Sequence, residues 1–252
     1  RYKPPILMII LRMHQDFSPY SLAYQNLNKI VFLVFPILFT LLFGINKIQS
    51  QEKPFVVVLD AGHGGHDSGN RGNGYYEKNI ALSIALKIGK ILEKTQGFKI
   101  IYTRKTDVFV DLIQRASIAN KADADLFVSI HCDAFTSSKA FGAGTFVLGL
   151  HENERNFKVA QKENSVIFLE EDYEKNYDGF NPNDPESVIS LILMQQTYLD
   201  QSINLASTIQ KSFVENLNRK DRTVKQAGFI VLKYTYMPSV LVETGFLTNR
   251  SE

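Results

Sequence analysis

Four residues whose types suit metal-assisted hydrolysis stand far apart in the chain: His63, Glu77, His131 and Glu243. Two imidazoles and a carboxylate with an open fourth position make a zinc site, which polarises a carbonyl and brings the pKa of a bound water down to about 7. A second carboxylate nearby can take that water's proton. On this pattern His63, Glu77 and His131 hold Zn2+, and Glu243 is the general base that later hands the proton to a leaving amine.

Each residue also has a plainer explanation. A histidine in a glycine loop is often a turn residue, and His66, three positions later, competes with His63 for the same role. An acid at a helix start, such as Glu77, complements the helix dipole. His131 ends a buried apolar run and Glu243 ends another, where an unpaired polar group is costly. Cys132 alternates with His131 along a strand, so its thiol points to the opposite face and packs in the core. His14 and His151 receive no role. Arg104, Asp107 and Arg115 surround a helix start, where a structural ion pair is the default.

The elements that would bring the four together follow from periodicity. The run Val56-Val57-Val58-Leu59-Asp60 reads as a buried strand emptying into Ala61-Gly62-His63-Gly64-Gly65, where glycines allow a sharp turn and close approach. Residues 78–94 place Ile80, Ile84, Ala85, Ile88, Ile91 and Leu92 at helical spacing. Strands are expected at 98–102, 126–130, 144–150, 228–232 and 239–242, with helices at 111–121 and across 188–217, the last broken near Asp200 to Ser202. Strands alternating with helices imply parallel βαβ units. The fold class is therefore α/β: a mixed, mostly parallel sheet of about six strands flanked by helices on both faces, forming a single catalytic domain over 51–252. In such sheets functional groups collect at the carboxyl ends of the strands, and the four residues converge on that rim. Residues 152–187 break the pattern: acids sit among Asn and Pro, which reads as a long inserted segment.

Residues 30–45 are an uncharged apolar run, shorter than the roughly 20 residues that a spanning helix prefers, preceded by Lys29 and followed by a polar stretch. It matches the core of a signal peptide, so residues 1–50 read as a leader and the domain as exported and periplasmic, with cleavage near Ser50 or an uncleaved anchor. The chain has 28 cations and 26 anions. Setting aside Arg1, Lys3, Arg12, Lys29, Lys47 and Asp16 leaves a slightly acidic remainder without a basic run, so no nucleic acid is expected as a partner. The single cysteine rules out an internal disulfide. The chain ends at Glu252, just after the last expected strand, where such folds usually place another helix, so a further C-terminal piece is expected.

The stretches Leu59-Asp60-Ala61-Gly62-His63-Gly64-Gly65, Glu77-Lys78-Asn79, Ser129-Ile130-His131 and Val242-Glu243-Thr244-Gly245-Phe246-Leu247-Thr248-Asn249 closely resemble, in that order, the zinc-dependent N-acetylmuramoyl-L-alanine amidases of bacterial cell walls. Thr103-Arg104, Asp107, Arg115 and Ala119-Asn120 extend the resemblance, which departs at Ser68 and Asn70, where the family often has Pro and Ala. It implies the same ligand set, with Glu243 catalytic, and adds the substrate: the amide between N-acetylmuramic acid and L-alanine in peptidoglycan, cut to separate daughter cells. The acidic insertion resembles the family's regulated members, in which an inserted helix blocks the groove until an activator, often with a LytM-type domain, withdraws it. A carboxylate of that segment, Glu170 or Glu171, is then expected at the open zinc position. A monomer is expected. Two other functions compete: a zinc peptidase or carboxypeptidase cutting within the stem peptide, and a phosphate-cradling glycine loop, against which stand its two histidines and Glu77.

Overall fold

The computed structural model describes residues 53–149, 153–177 and 196–252. The apolar run at 30–45, and the expected helix and loop across 178–195, lie outside these residues. No described helix is long and apolar enough to cross a membrane.

The six strands of the main sheet are β1 (Phe55–Ala61), β4 (Phe98–Tyr102), β5 (Leu126–Asp133), β6 (Ala143–Leu148), β7 (Asp221–Ala227) and β8 (Ser239–Phe246). A two-residue hairpin, β2 (Arg71–Gly72) with β3 (Tyr75–Tyr76), precedes the first helix. The sheet order is β4-β1-β5-β8-β6-β7, and only the β6–β8 pairing is antiparallel. This is the mixed, mostly parallel sheet expected from the alternation of strand and helix patterns.

Successive strand residues face opposite layers, which splits the core in two. Val56, Val58, Phe127, Phe146 and Leu241 face α2 (Leu112–Lys121), α3 (Glu154–Asn164) and α6 (Ile230–Lys233). On the other side Val57, Leu59 and Ile130 pack under α1 (Glu77–Leu92), and Val147, Val240 and Val242 under α5 (Leu199–Glu215). The fully buried apolar face of α1 is Ala81, Ala85 and Gly89, with Ile84 and Ile88 half-buried against the same cluster; Ile91 is exposed. Small residues let this helix lie close: a Cβ on Gly89 would meet the Tyr102 ring.

Two local expectations differ from the structure. The apolar run at 228–232 is no strand but a buried helical turn, α6, and the strand beside it is β7, whose polar sequence DRTVKQA suits an edge that is only partly buried along most of its length. The acidic stretch expected to lack pattern begins with an 11-residue helix, α3, capped by the Asn153 side chain accepting from Asn156 N at 3.0 Å. Its buried positions are Asn156, Ala160, Glu163 and Asn164, at helical spacing but mostly polar, so hydrophobic periodicity does not reveal it. A 3-10 turn (Ser165–Leu169) and α4 (Tyr173–Asn176) complete this described part of the segment.

Candidate active site

The strand β1 ends at Ala61, and two residues later His63 turns inward with φ 60°, a left-handed conformation that costs energy in a residue with a Cβ. The backbone is held there from behind. Arg115 donates to His63 O at 2.9 Å and Ala61 O at 2.7 Å, while Arg104 donates to Ala61 O at 3.0 Å and Gly62 O at 2.8 Å. Arg115 also forms a buried ion pair with Asp60 at 2.8 Å, and Asp107 pairs with Lys78 at 2.6 Å. These cations and acids therefore brace the loop.

Glycines let the rings approach the backbone. A Cβ on Gly62 would lie 2.5 Å from the His131 ring, and one on Gly69 (φ +62°) 2.5 Å from His63 Cδ2 and 2.7 Å from Glu77 Oε2. Glu77, the first residue of α1, is fully buried, and its two oxygens accept from Cys132 N at 2.9 Å and Asn70 N at 2.8 Å.

The result is a tight cluster. Glu77 Oε2 lies 3.1 Å from His63 Nε2, and Glu77 Oε1 lies 3.0 Å from His131 Nδ1. A fourth member comes from α3: Glu163 Oε2 lies 3.1 Å from both His63 Nε2 and His131 Nδ1. One ligand atom from each of these four residues lies within 4.8 Å of the others. The outer nitrogens are already engaged. His63 Nδ1 is 2.7 Å from Asp67 Oδ2, and His131 Nε2 is 3.1 Å from Ser129 Oγ, which donates to Asp60 Oδ2 at 2.6 Å. Donating outward in this way leaves each ring's inner nitrogen as a lone pair facing the other ligands, the arrangement a metal requires.

The carboxylates make the point where the rings converge attractive to positive charge, whether a proton on each ring or a cation that displaces it. Burial disfavours charge on His63, yet Glu77 and Glu163 hold its pKa well above the ordinary value. Burial likewise opposes charge on His131, but Glu163 and Glu77 raise it to about 10. Burial pushes Glu77 up and the two imidazoles pull it well below the carboxylate range; Glu163, buried and repelled by Glu77, is still drawn down to about 2 by His131 and His63. His63 Nε2 and Glu163 Oε2 nevertheless make no hydrogen bond. Two carboxylates and two imidazoles aimed at one point, with orphaned buried atoms among them, fit a divalent cation.

Glu243 lies opposite His131 in the β5–β8 register, with both carboxylate oxygens buried and lacking a hydrogen-bond partner. Burial and repulsion from Asp133, Glu77 and Glu163 raise its pKa well above the usual range. His66 is exposed and stacks on Phe109 with ring centroids 4.0 Å apart, outside the cluster. Cys132 Sγ turns to the other face, 3.2 Å from Thr244 Oγ1, and burial lifts its pKa to about 12.

Neither of the two acids expected at the metal's open position reaches it. Glu170 accepts from Leu112 N at 2.8 Å and Tyr177 Oη at 2.6 Å, satisfying the start of α2, and Glu171 is exposed. Glu163 is instead the acid of this segment that joins the cluster, and Asp67 is the other participant that sequence reasoning passed over. The His63-x-x-x-Asp67 spacing, which puts a carboxylate behind a candidate ligand, could have signalled the second. The void left beside the cluster measures about 10 Å³, room for a single water.

Fold and cluster together define a class: an α/β protein with an imidazole–carboxylate centre, able to hold a metal, on the carboxyl rim of its sheet. Residues 57–252 match the family described as N-acetylmuramoyl-L-alanine amidase. The amidase AmiA of Escherichia coli (strain K12) is 38% identical over 201 residues, covering 78% of this chain and 67% of that protein. The amidase AmiC of Escherichia coli O6:H1 is 35% identical over 214 residues, 80% of this chain but only 48% of its own length, so the chain spans about half of that relative. The crystal structure of an N-acetylmuramoyl-L-alanine amidase from Clostridium difficile 630 superposes with a TM-score of 0.59 at 27% identity, covering 80% of this chain and 84% of that one. The chain belongs to the N-acetylmuramoyl-L-alanine amidase family, and is a hydrolase of that kind.

Proposed function

We propose that this protein is an exported, zinc-dependent amidase that cleaves the bond between N-acetylmuramic acid and L-alanine in peptidoglycan during cell separation, and that α3 holds it inactive at rest. The observation that carries the reading is the convergence of His63, Glu77 and His131 with Glu163 on one point.

His63 Nε2, His131 Nδ1 and a Glu77 oxygen would hold the ion. When bound, zinc supplies Lewis-acid polarisation of the amide carbonyl and of the attacking water. Glu243, a carboxylate with raised proton affinity next to His131, takes the water's proton and passes it to the departing amine. Addition of water and loss of the C–N bond leave a carboxyl group on the lactyl side and a free L-alanine amine. Asp67 and the Ser129–Asp60 pair keep the two imidazoles in the required tautomer.

Glu163 supports the resting state, since a carboxylate at the open ligand position, on a helix that leaves room for one water, excludes a sugar–peptide. An activator, of the LytM-domain type implied by the resemblance, would withdraw α3. Action on peptidoglycan is also what supports the extracytoplasmic location.

Mass analysis of digested peptidoglycan tests the reaction: intact stem peptides with a free L-alanine amine are expected, whereas shortened stems left on the sugar would establish the peptidase instead. Glu163→Gln tests the block. It should raise basal hydrolysis about tenfold or more, the scale of removing a ligand contact, and an unchanged rate would contradict autoinhibition.

A further inference from the structure

Beside Glu243 the sheet gathers positive charge that the hydrolytic scheme does not use. Lys225 and Arg222 lie on the edge strand β7, and with Asp133 and Glu243 they line a cleft that α3 seals from above with Arg155 and Val159. Gly144 makes the arrangement possible. It is the register partner of Glu243, and a Cβ there would lie 2.7 Å from Lys225 Nζ, so any side chain at 144 would push the ammonium out of the cleft.

Neither cation has a carboxylate in contact, although Asp133 and Glu243 share the cleft and attract Lys225 at longer range, and Asp133 and Glu252 attract Arg222. Lys225 Nζ rests over the Phe146 ring, 4.6 Å from its centroid, and Arg222 over the Phe246 ring at the same 4.6 Å. Arg222 donates to the Phe141 carbonyl at 3.2 Å, and among the described residues neither side chain forms a salt bridge. Burial, then the neighbouring Arg222 and Arg155, depress Lys225 to about 8. Two cations held on aromatic faces, half-buried and with no carboxylate in contact, form a site for an anion.

We propose that Lys225 and Arg222 bind a free carboxylate of the stem peptide on the leaving-amine side of the scissile bond, and so decide which peptides Glu243 and the metal centre cut. The proposal rests on the amidase reading for the identity of the anion. Peptide rather than sugar is the expected occupant because the glycan strand carries few charges, whereas the stem peptide is acidic. The cleft opens only when α3 leaves, so the same movement that frees the metal uncovers the specificity pocket.

The test uses the full-length, zinc-loaded protein carrying Glu163→Ala, with N-acetylmuramoyl-L-alanyl-D-glutamate and the same compound amidated at both glutamate carboxylates. The parent is expected to prefer the carboxylate substrate through KM, by about tenfold, the scale of one charge-assisted contact. Lys225→Met should raise KM for that substrate to the amide's value with kcat within about twofold, and Lys225→Arg should restore most of the preference. Discrimination that survives in Lys225→Met, or a fall in kcat at constant KM, would overturn the subsite. Binding of the peptide L-alanyl-D-glutamate, measured by calorimetry on the same proteins, separates the two claims. Lys225-dependent binding without hydrolysis of either substrate would break the amidase reading and leave the subsite standing. No binding to the parent, or equal binding to parent and Lys225→Met, would overturn the subsite whatever the enzyme cleaves.

Discussion

His63 shows how local chemistry and backbone strain are combined at this centre. Its left-handed φ of 60° is tolerated because Arg104 and Arg115 clamp the carbonyls around it, and because Asp67 fixes the far side of its ring. Asp67→Asn removes the charge behind the imidazole while leaving an oxygen to accept from Gly69 N, now at 3.0 Å. Zinc affinity should fall about 10- to 100-fold, with the far-ultraviolet circular dichroism unchanged; equal affinity in a competition titration against a chelator would show that Asp67 does not orient the ligand. Of the cluster's four members, His63, Glu77 and His131 could be singled out from the sequence because each sits where a buried strand or a helix start meets a loop. Glu163 could not, since it is one acid among many in a stretch where nothing apolar marks a helix. Sequence leaves His63 and His66 equivalent, because two histidines in one glycine loop are separated only by which ring the backbone turns inward.

At the scale of elements, α3 is the part whose placement matters most and whose sequence shows it least. Its C-terminal end is anchored by Asn164, whose side chain accepts from Ile230 N at 2.9 Å and donates to Gly228 O at 2.7 Å. Ala160, Val166 and Ile167 then bury the helix and its 3-10 extension against the core. Asn164, Glu163 and a small apolar patch are thus among the contacts that dock the helix. Asn164→Ala strands two buried backbone groups at a cost of about 1–3 kcal/mol. Because that cost falls mainly on the docked state, basal peptidoglycan hydrolysis should rise several-fold, while the melting temperature drops by only a few degrees. A lower melting temperature without any gain in activity would mean that α3 is simply part of the fold. The same region explains the misplaced strand. The apolar run Ile230-Val231-Leu232 is buried as a helical turn beneath α3, and the polar edge strand before it shows no alternation strong enough to announce itself.

Across the whole molecule the architecture was readable because βαβ order leaves little freedom: buried strands alternating with helices give a parallel sheet whose carboxyl rim collects the site. What could not be read is how charge is shared between distant strands. Lys225 lies on β7 at one edge of the sheet and Glu243 on β8, and only the β6 strand between them, with its glycine, connects the two. That placement has a cost for stability. Lys225 is depressed to about 8 in the folded protein against the 10.5 ordinary for a lysine, so the unfolded chain holds its proton more tightly. The penalty is full below pH 8 and is relieved as pH rises from 8 toward 10.5. Lys225→Met should therefore stabilise the protein at pH 7 by about 1 kcal/mol, discounted for the ammonium's partial exposure. In denaturant titrations this gain should shrink as the pH approaches the upper end of that window; a gain independent of pH would mean that packing, not charge, is responsible.

The central claim is that three residues, from the loop after β1, from α1 and from β5, hold one catalytic zinc. Metal analysis of the purified full-length protein, paired with peptidoglycan hydrolysis before and after chelation, tests it most directly. About one zinc per chain is expected, lost together with activity in His131→Ala and restored to the wild-type protein by added zinc. A protein that remains fully active after every metal ion has been removed would contradict it.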